Sequence, residues 1–235
     1  MNPPSRPARG TAGRAYFSPA LFAFLRELKA NNAREWFESN RERYVSDVQA
    51  PMLRFITDLG PPLRAIGPAV VADPRRSGGS MYRIYRDTRF SADKSPYKTH
   101  VAAHFAHERR KQAPSVPGFY LHLEPGDSMG GGGIYHPDSP TLTRIRLAIV
   151  EDGRRWAAVK RTGIAIEGDR LSRAPAGFDA GHRFIEDLRL KDFYALTSFS
   201  QREVCAPDFL DRYVACCREA APLVAFLTRS MGWRW

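Results

Sequence analysis

The stretch RIYRDTRFSADKSPYKTHVAAHFAH, starting at Arg83, holds three arginines, two lysines and three histidines. Arginine offers a planar donor fork that matches phosphate or carboxylate, and lysine adds a compact point charge. Arg86 and Arg89 flank a turn, Lys94 and Lys98 follow, and Ser91 and Ser95 supply hydroxyls. Asp87 can pair with one of the arginines or accept backbone N–H groups in the turn. Pro96 stiffens the link. Turns of Ser, Asp and small residues also present backbone N–H groups to anions. Together these are the parts of an anion pocket whose cations are Arg83, Arg86, Arg89, Lys94 and Lys98. The competing reading is an internal ion-pair network that pins the loop, since exposed pairs of this kind contribute only about 0–1 kcal/mol each.

The histidines set limits on metal chemistry. His100 and His104 lie on one face of an alternating segment, roughly 13 Å apart if it is a strand, too far to share an ion. A helix would bring them together with His107, but the alternation favours strand, so no metal is assigned here. His122 could approach His100 or His104 from an adjacent strand if the register allows. His136 follows the run Gly130–Gly133. That run lacks the GxxxxGK[ST] and GxGxxG patterns of phosphate loops. It reads as a strand where another backbone packs close, or as an open space over a sheet. His122, Glu124 and His136 are placed at the rim of that space, and a carboxylate beside histidine and arginine could act as a general base.

Helices and strands must position these groups. FSPALFAFLRELKANN reads as a helix capped by Ser18, with Pro19 in the first turn and Leu21, Leu25 and Leu28 on one face. Asn32 is expected to cap the next helix, with Glu35 as its capping-box partner. Trp36 and Tyr44 belong to the core, and Arg34 or Asn40 could reach the cationic turn from this helix. Pro51 ends or kinks it, and GPPLRAIGP breaks the pattern that follows. SMYRIYRD, KTHVAAHFAHE and GFYLHLEP alternate as strands, with Phe119, Leu121 and Leu123 opposite Tyr120, His122 and Glu124. GGGGIYHP follows a PGDSM turn as a hairpin partner. The segment 138–161 is a helix weakened by Gly153, FYALTSFS is a strand, and a long C-terminal helix bends near Pro222. The fold class expected is α+β, a mostly antiparallel sheet packed by N-terminal and C-terminal helices.

The totals fit this picture. The chain has 235 residues and a formal net charge of +11. Residues 1–15 carry +3 and residues 80–111 carry +5, so the cationic field is concentrated and favours anions or nucleic acid. Residues 1–15 are expected to be a disordered basic tail, not a secretory signal, and residues 16–235 a single α+β domain. No apolar run approaches the roughly 20 residues that span a bilayer, so no membrane association is expected. Cys205, Cys216 and Cys217 show no metal spacing and read as thiols in a reducing cytoplasm.

NNAREWFESNRERY, YRIYRDTRFSADKSPYKTH, GFYLHLEPGDSMGGGGIYHP, LSRAPAGFD and LKDFYALTSFS occur in that order along the chain. With these strings it resembles a bacterial family of uncharacterised proteins, domain of unknown function 2461. The resemblance implies a cytoplasmic α+β domain and brings no assigned catalytic residues or cofactors. The insert ERRKQAPSVP departs from the family and is expected to be a surface loop that does not touch the core strings.

The leading functional expectation is a cytoplasmic protein that binds a small anionic, phosphate-bearing ligand in a cationic pocket on the sheet face. The site comprises Arg83, Arg86, Arg89, Lys94 and Lys98, with His122, Glu124 and His136 at its rim. No cofactor is assigned and no nucleophile is identified, so whether the chain is an enzyme stays open. A second expectation is nucleic-acid association through the tail and residues 83–111. A third is a structural or partner-binding domain without ligand.

Overall fold

The computed structural model describes residues 15–89 and 91–235. The basic tail expected over residues 1–15 lies outside them except for Ala15. Leu21, Phe22, Leu25 and Leu28 bury one side of α1 (Pro19–Ala30). Asn32 does not cap the next helix: Ala33 occupies that position, before α2 (Arg34–Ser39). The Asn32 amide is used elsewhere. It donates to the Tyr97 carbonyl at 3.0 Å and accepts from the Tyr97 N–H at 3.1 Å.

A short α3 (Arg41–Arg43) leads into a π-helical stretch, Tyr44–Gln49, and then α4 (Ala50–Ile66). Pro51 therefore sits in the first turn of α4, where its missing N–H costs little. The sequence reading ended the helix at GPPLRAIGP, yet Pro61 and Pro62 lie inside α4. Leu59 and Leu63 are fully buried on either side of them, so tertiary burial of the apolar stripe overrides the local breaker signal.

The sheet has four strands in the order β1-β2-β3-β4, and all neighbours are antiparallel. They are β1 (Val101–Ala106), β2 (Gly118–Leu123), β3 (Ser128–Ile134) and β4 (Phe193–Phe199). SMYRIYRD, expected as a strand, makes only isolated bridges, from Met81 to Ala103 and from Tyr85 to Tyr97. The glycine run forms the centre of β3, as the close-packing reading required. A Cβ on Gly132 would lie 2.6 Å from Val224 Cγ2, and one on Gly130 would lie 2.7 Å from the Tyr213 ring. Both contacts come from α9 (Phe209–Ser230), which packs on the inner face of the sheet.

The remaining helices are α5 (Ser139–Glu151), α6 (Gly153–Arg161), α7 (Ile185–Leu188) and α8 (Gln201–Val204). The single helix expected over 138–161 is split at Asp152, whose carboxylate accepts the Arg155 N–H and starts α6. The larger apolar cluster joins α1, α4, the inner sheet face and the first half of α9. The smaller one joins α5, α6, β4 and the end of α9. The architecture is α+β, an antiparallel sheet with helices at both ends of the chain. Among the described residues no helix is long and apolar enough to cross a membrane.

Candidate functional site

The cationic loop is a closed hairpin with a tip and a base. Its stem is tied by Arg86 N–H to the Pro96 carbonyl at 2.9 Å and Lys98 N–H to the Ile84 carbonyl at 2.8 Å. Tyr97 stacks on Phe37 with ring centroids 4.1 Å apart, which with the Asn32 amide anchors the loop to α2. The tip carries Arg86, Arg89 and Lys94, and their charges are engaged locally. Arg86 pairs with Asp93, Arg89 with Asp87 at 2.7 Å, and the Lys94 ammonium donates to the Thr88 carbonyl at 2.9 Å. A hollow of about 490 Å³ beside the tip is lined by Arg34, Glu38, Arg86 and Lys94 among others. Arg34 thus reaches the turn, while Asn40 bonds the Trp36 carbonyl instead.

The base points elsewhere. Tyr82 N–H donates to the Ala102 carbonyl and docks the stem on β1. The Lys98 ammonium lies 5.2 Å from the Tyr82 ring centroid. Burial lowers the Lys98 pKa, and the neighbouring Arg83 guanidinium lowers it further. The five cations therefore do not share one hollow. Three belong to the tip, and Arg83 and Lys98 stand beside Tyr82 at the edge of the sheet.

The outer sheet face carries a second, larger cleft of about 720 Å³. Strand alternation defines its floor, because Phe119, Leu121 and Leu123 point into the core. The register lines up His104, Tyr120, Gly131 and Leu196 in one row across the sheet, and His122, Met129 and Ser198 in the next. Tyr82, Tyr135, Tyr194, His104, His122 and His136 contribute the aromatic and polar lining. The insert supplies Pro114, Ser115 and Val116 as a wall. Contrary to expectation it touches a core string: the Ser115 hydroxyl accepts the Asp138 N–H at 3.3 Å and meets the His136 carbonyl at 3.4 Å.

At one end of this face the sequence spacing is overridden by register. Ala102 pairs with His122, so His122 lies between His100 and His104 on the neighbouring strand. Its ring meets that of His100 with centroids 4.4 Å apart. His122 Nε2 lies 3.1 Å from Glu124 Oε2, and His100 Nδ1 lies 3.9 Å from the same oxygen. One nitrogen from each histidine and one Glu124 oxygen all fall within 4.8 Å of one another, a grouping that could hold a metal ion. Withholding a metal from this stretch rested on the His100–His104 separation, and cross-strand pairing supplies a different pair. Burial, then the charge of His122, pushes the His100 pKa down to about 4. Burial, then Arg110, does the same for His104. Both are neutral near pH 7. Burial raises the Tyr120 phenol to about 12, so it stays a hydroxyl.

His136 stands toward the other end. It is the one non-glycine among the described residues with a left-handed backbone, φ 46°, a conformation that costs roughly 1–2 kcal/mol. Asp192, almost fully buried, holds it there. Oδ1 accepts the His136 N–H at 2.6 Å and lies 3.3 Å from His136 Nδ1. The same carboxylate accepts the Asp169 N–H at 3.3 Å. A carboxylate-oriented imidazole is the usual form of a histidine general base. From Met129, beside His122, to Ile134 is five residues of strand, about 17 Å, so His122 and His136 stand toward opposite ends of the cleft.

Of the residues singled out in the sequence, His122 and His136 line the cleft, Glu124 bonds His122, and Lys98 sits by the lining residue Tyr82 with Arg83 acting on it, though neither cation lines the cleft itself. Sequence reasoning weighed His100 and His104 but set them aside on their separation, and did not single out Tyr82, Tyr120, Tyr194 or Asp192. The alternation of β2 carried a signal for Tyr120, but nothing local ties Asp192 to a histidine 56 residues earlier.

No curated protein and no solved structure matches the chain. A family described as "Conserved hypothetical protein (DUF2461)" matches residues 20–226, in agreement with the strings noted above. The match takes in the cationic loop, all four strands and most of α9, and the chain belongs to this family.

Proposed function

We propose that the outer-face cleft binds a small anionic ligand, a planar group bearing a phosphate or similar oxyanion. The observation that carries this reading is the pair Arg83 and Lys98. Arg83 lies close enough to Lys98 to lower the Lys98 pKa, and among the described residues neither makes a salt bridge to a carboxylate, though Arg83 also helps to lower the Asp87 pKa. Like charges held together are relieved by an anion between them. The cleft volume suits a ligand of this size. The tyrosine rings offer stacking surface, and the phenols and imidazoles offer hydrogen bonds. The nucleic-acid reading has less behind it, because Arg86 and Arg89 at the loop tip already have carboxylate partners. The free thiols Cys205, Cys216 and Cys217 fit a cytoplasmic setting for this binding.

Calorimetric titration of the full chain with inorganic phosphate and with adenosine monophosphate, at about 150 mM salt, tests the reading. Saturable binding is expected. Lys98→Ala and Arg83→Ala should each weaken it about tenfold or more, the value of one charge-assisted hydrogen bond. Unchanged affinity in both variants, or no saturable binding by the wild-type chain, refutes it.

A further inference from the structure

We propose that His100, His122 and Glu124 form a binding site for one divalent transition-metal ion, with open coordination positions that take an oxygen of the ligand. Occupancy by the metal stands on its own geometry. Only the identity of what fills the open positions rests on the ligand reading above.

The geometry comes from the sheet. His122 and Glu124 are two residues apart near the end of β2, so both project from the outer face. One step beyond the pair Val101–Leu123, His100 comes opposite Glu124. An ion bound tetrahedrally at about 2.0–2.1 Å holds its ligand atoms roughly 3.3 Å apart. The two separations to Glu124 Oε2, 3.1 and 3.9 Å, bracket that value. All three ligand atoms lie within 4.8 Å of one another.

The surrounding groups are arranged as outer-sphere partners. Tyr120 Oη lies 3.0 Å from His122 Nδ1, which fixes the ring and leaves Nε2 for the metal. The Thr99 hydroxyl donates to Glu124 Oε1 at 3.1 Å, which leaves Oε2 for the same ion. His122 on β2 and Glu124 just past its end are therefore each held through the atom the metal does not need.

Two imidazoles and one carboxylate are donors for zinc, iron(II), cobalt(II) or nickel(II), and not for a calcium cage. Three protein ligands leave at least one position for water or an oxyanion. Lys98 adds a positive charge close enough to His100 to lower its basicity. An anion bridging the metal and Lys98 would satisfy both.

Cobalt(II) titration of the full chain, stripped with chelator and re-dialysed, reads the site through its visible d–d absorption. One equivalent is expected to bind, with bands that zinc abolishes by displacement. Glu124→Gln keeps the Thr99 hydrogen bond and His122→Ala removes an inner ligand. Each should weaken binding at least tenfold, Tyr120→Phe should weaken it about tenfold, and His182→Ala should leave it unchanged. Far-UV circular dichroism of the stripped variants separates lost folding from lost ligation. Absence of stoichiometric binding in the wild type, or binding that survives both Glu124→Gln and His122→Ala, overturns the site. If it is overturned, phosphate binding through Lys98 and Arg83 would still be seen in the stripped chain. Cobalt bands that form normally but do not respond to phosphate would uphold the metal site while the ligand reading fails.

Discussion

His104 gives the stability of this fold a defined acid dependence. Its ring lies over Gly118, where even a Cβ would stand 2.6 Å from Nε2. Burial, with a smaller contribution from Arg110, lowers its pKa from the ordinary 6.5 to about 4. Between those values the unfolded chain holds more protons than the folded one. Stability from this group is therefore complete above pH 6.5 and is lost as pH falls toward 4. A gap of about 2.5 pH units, at about 1.4 kcal/mol each, amounts to about 3 kcal/mol. Urea unfolding of the wild type and of His104→Gln at a series of pH values across this window measures it. Other groups titrate in both proteins, so the comparison isolates His104. On acidification the variant should lose about 3 kcal/mol less than the wild type. Equal losses would refute the claim that the half-buried imidazole is neutral in the folded state.

Three further outcomes follow from the packing and the site. Gly132→Ala places a methyl 2.6 Å from Val224 Cγ2 and 2.9 Å from the Phe119 ring. It should cost about 1–3 kcal/mol in urea unfolding by forcing α9 off the sheet. Asp192→Ala leaves the His136 and Asp169 N–H groups without their acceptor. It should lower stability by about 1–3 kcal/mol, measured the same way, whereas Asp192→Asn, which keeps an acceptor oxygen, should lose less. Arg86→Ala combined with Arg89→Ala should barely move the thermal midpoint and should leave phosphate affinity unchanged, because these guanidiniums serve the loop tip.

Much of the framework is legible locally. Alternation in GFYLHLEP divides Phe119, Leu121 and Leu123 from Tyr120, His122 and Glu124, and the structure keeps that division. Pro19 and the leucine spacing mark α1, and the glycine run marks a place where another element packs close. Local signals mislead where burial outweighs propensity. Pro61 and Pro62 continue α4 because Leu59 and Leu63 must both be covered. Asn32, a good cap by type, is used across 65 residues to hold Tyr97.

The amino-acid order alone fixed the α+β class, the face on which His122 and Glu124 emerge and the concentration of cations near residues 83–98, because periodicity and composition are local properties. It could not say which cations would converge. Closing the 84–98 hairpin sends Arg86, Arg89 and Lys94 to a tip with its own carboxylates and leaves Arg83 and Lys98 beside Tyr82. Strand register, set by the whole sheet burying its inner face, brings His100 to His122, and a buried carboxylate 56 residues on holds His136. Those meetings depend on pairing between distant segments, and tertiary structure alone decides them.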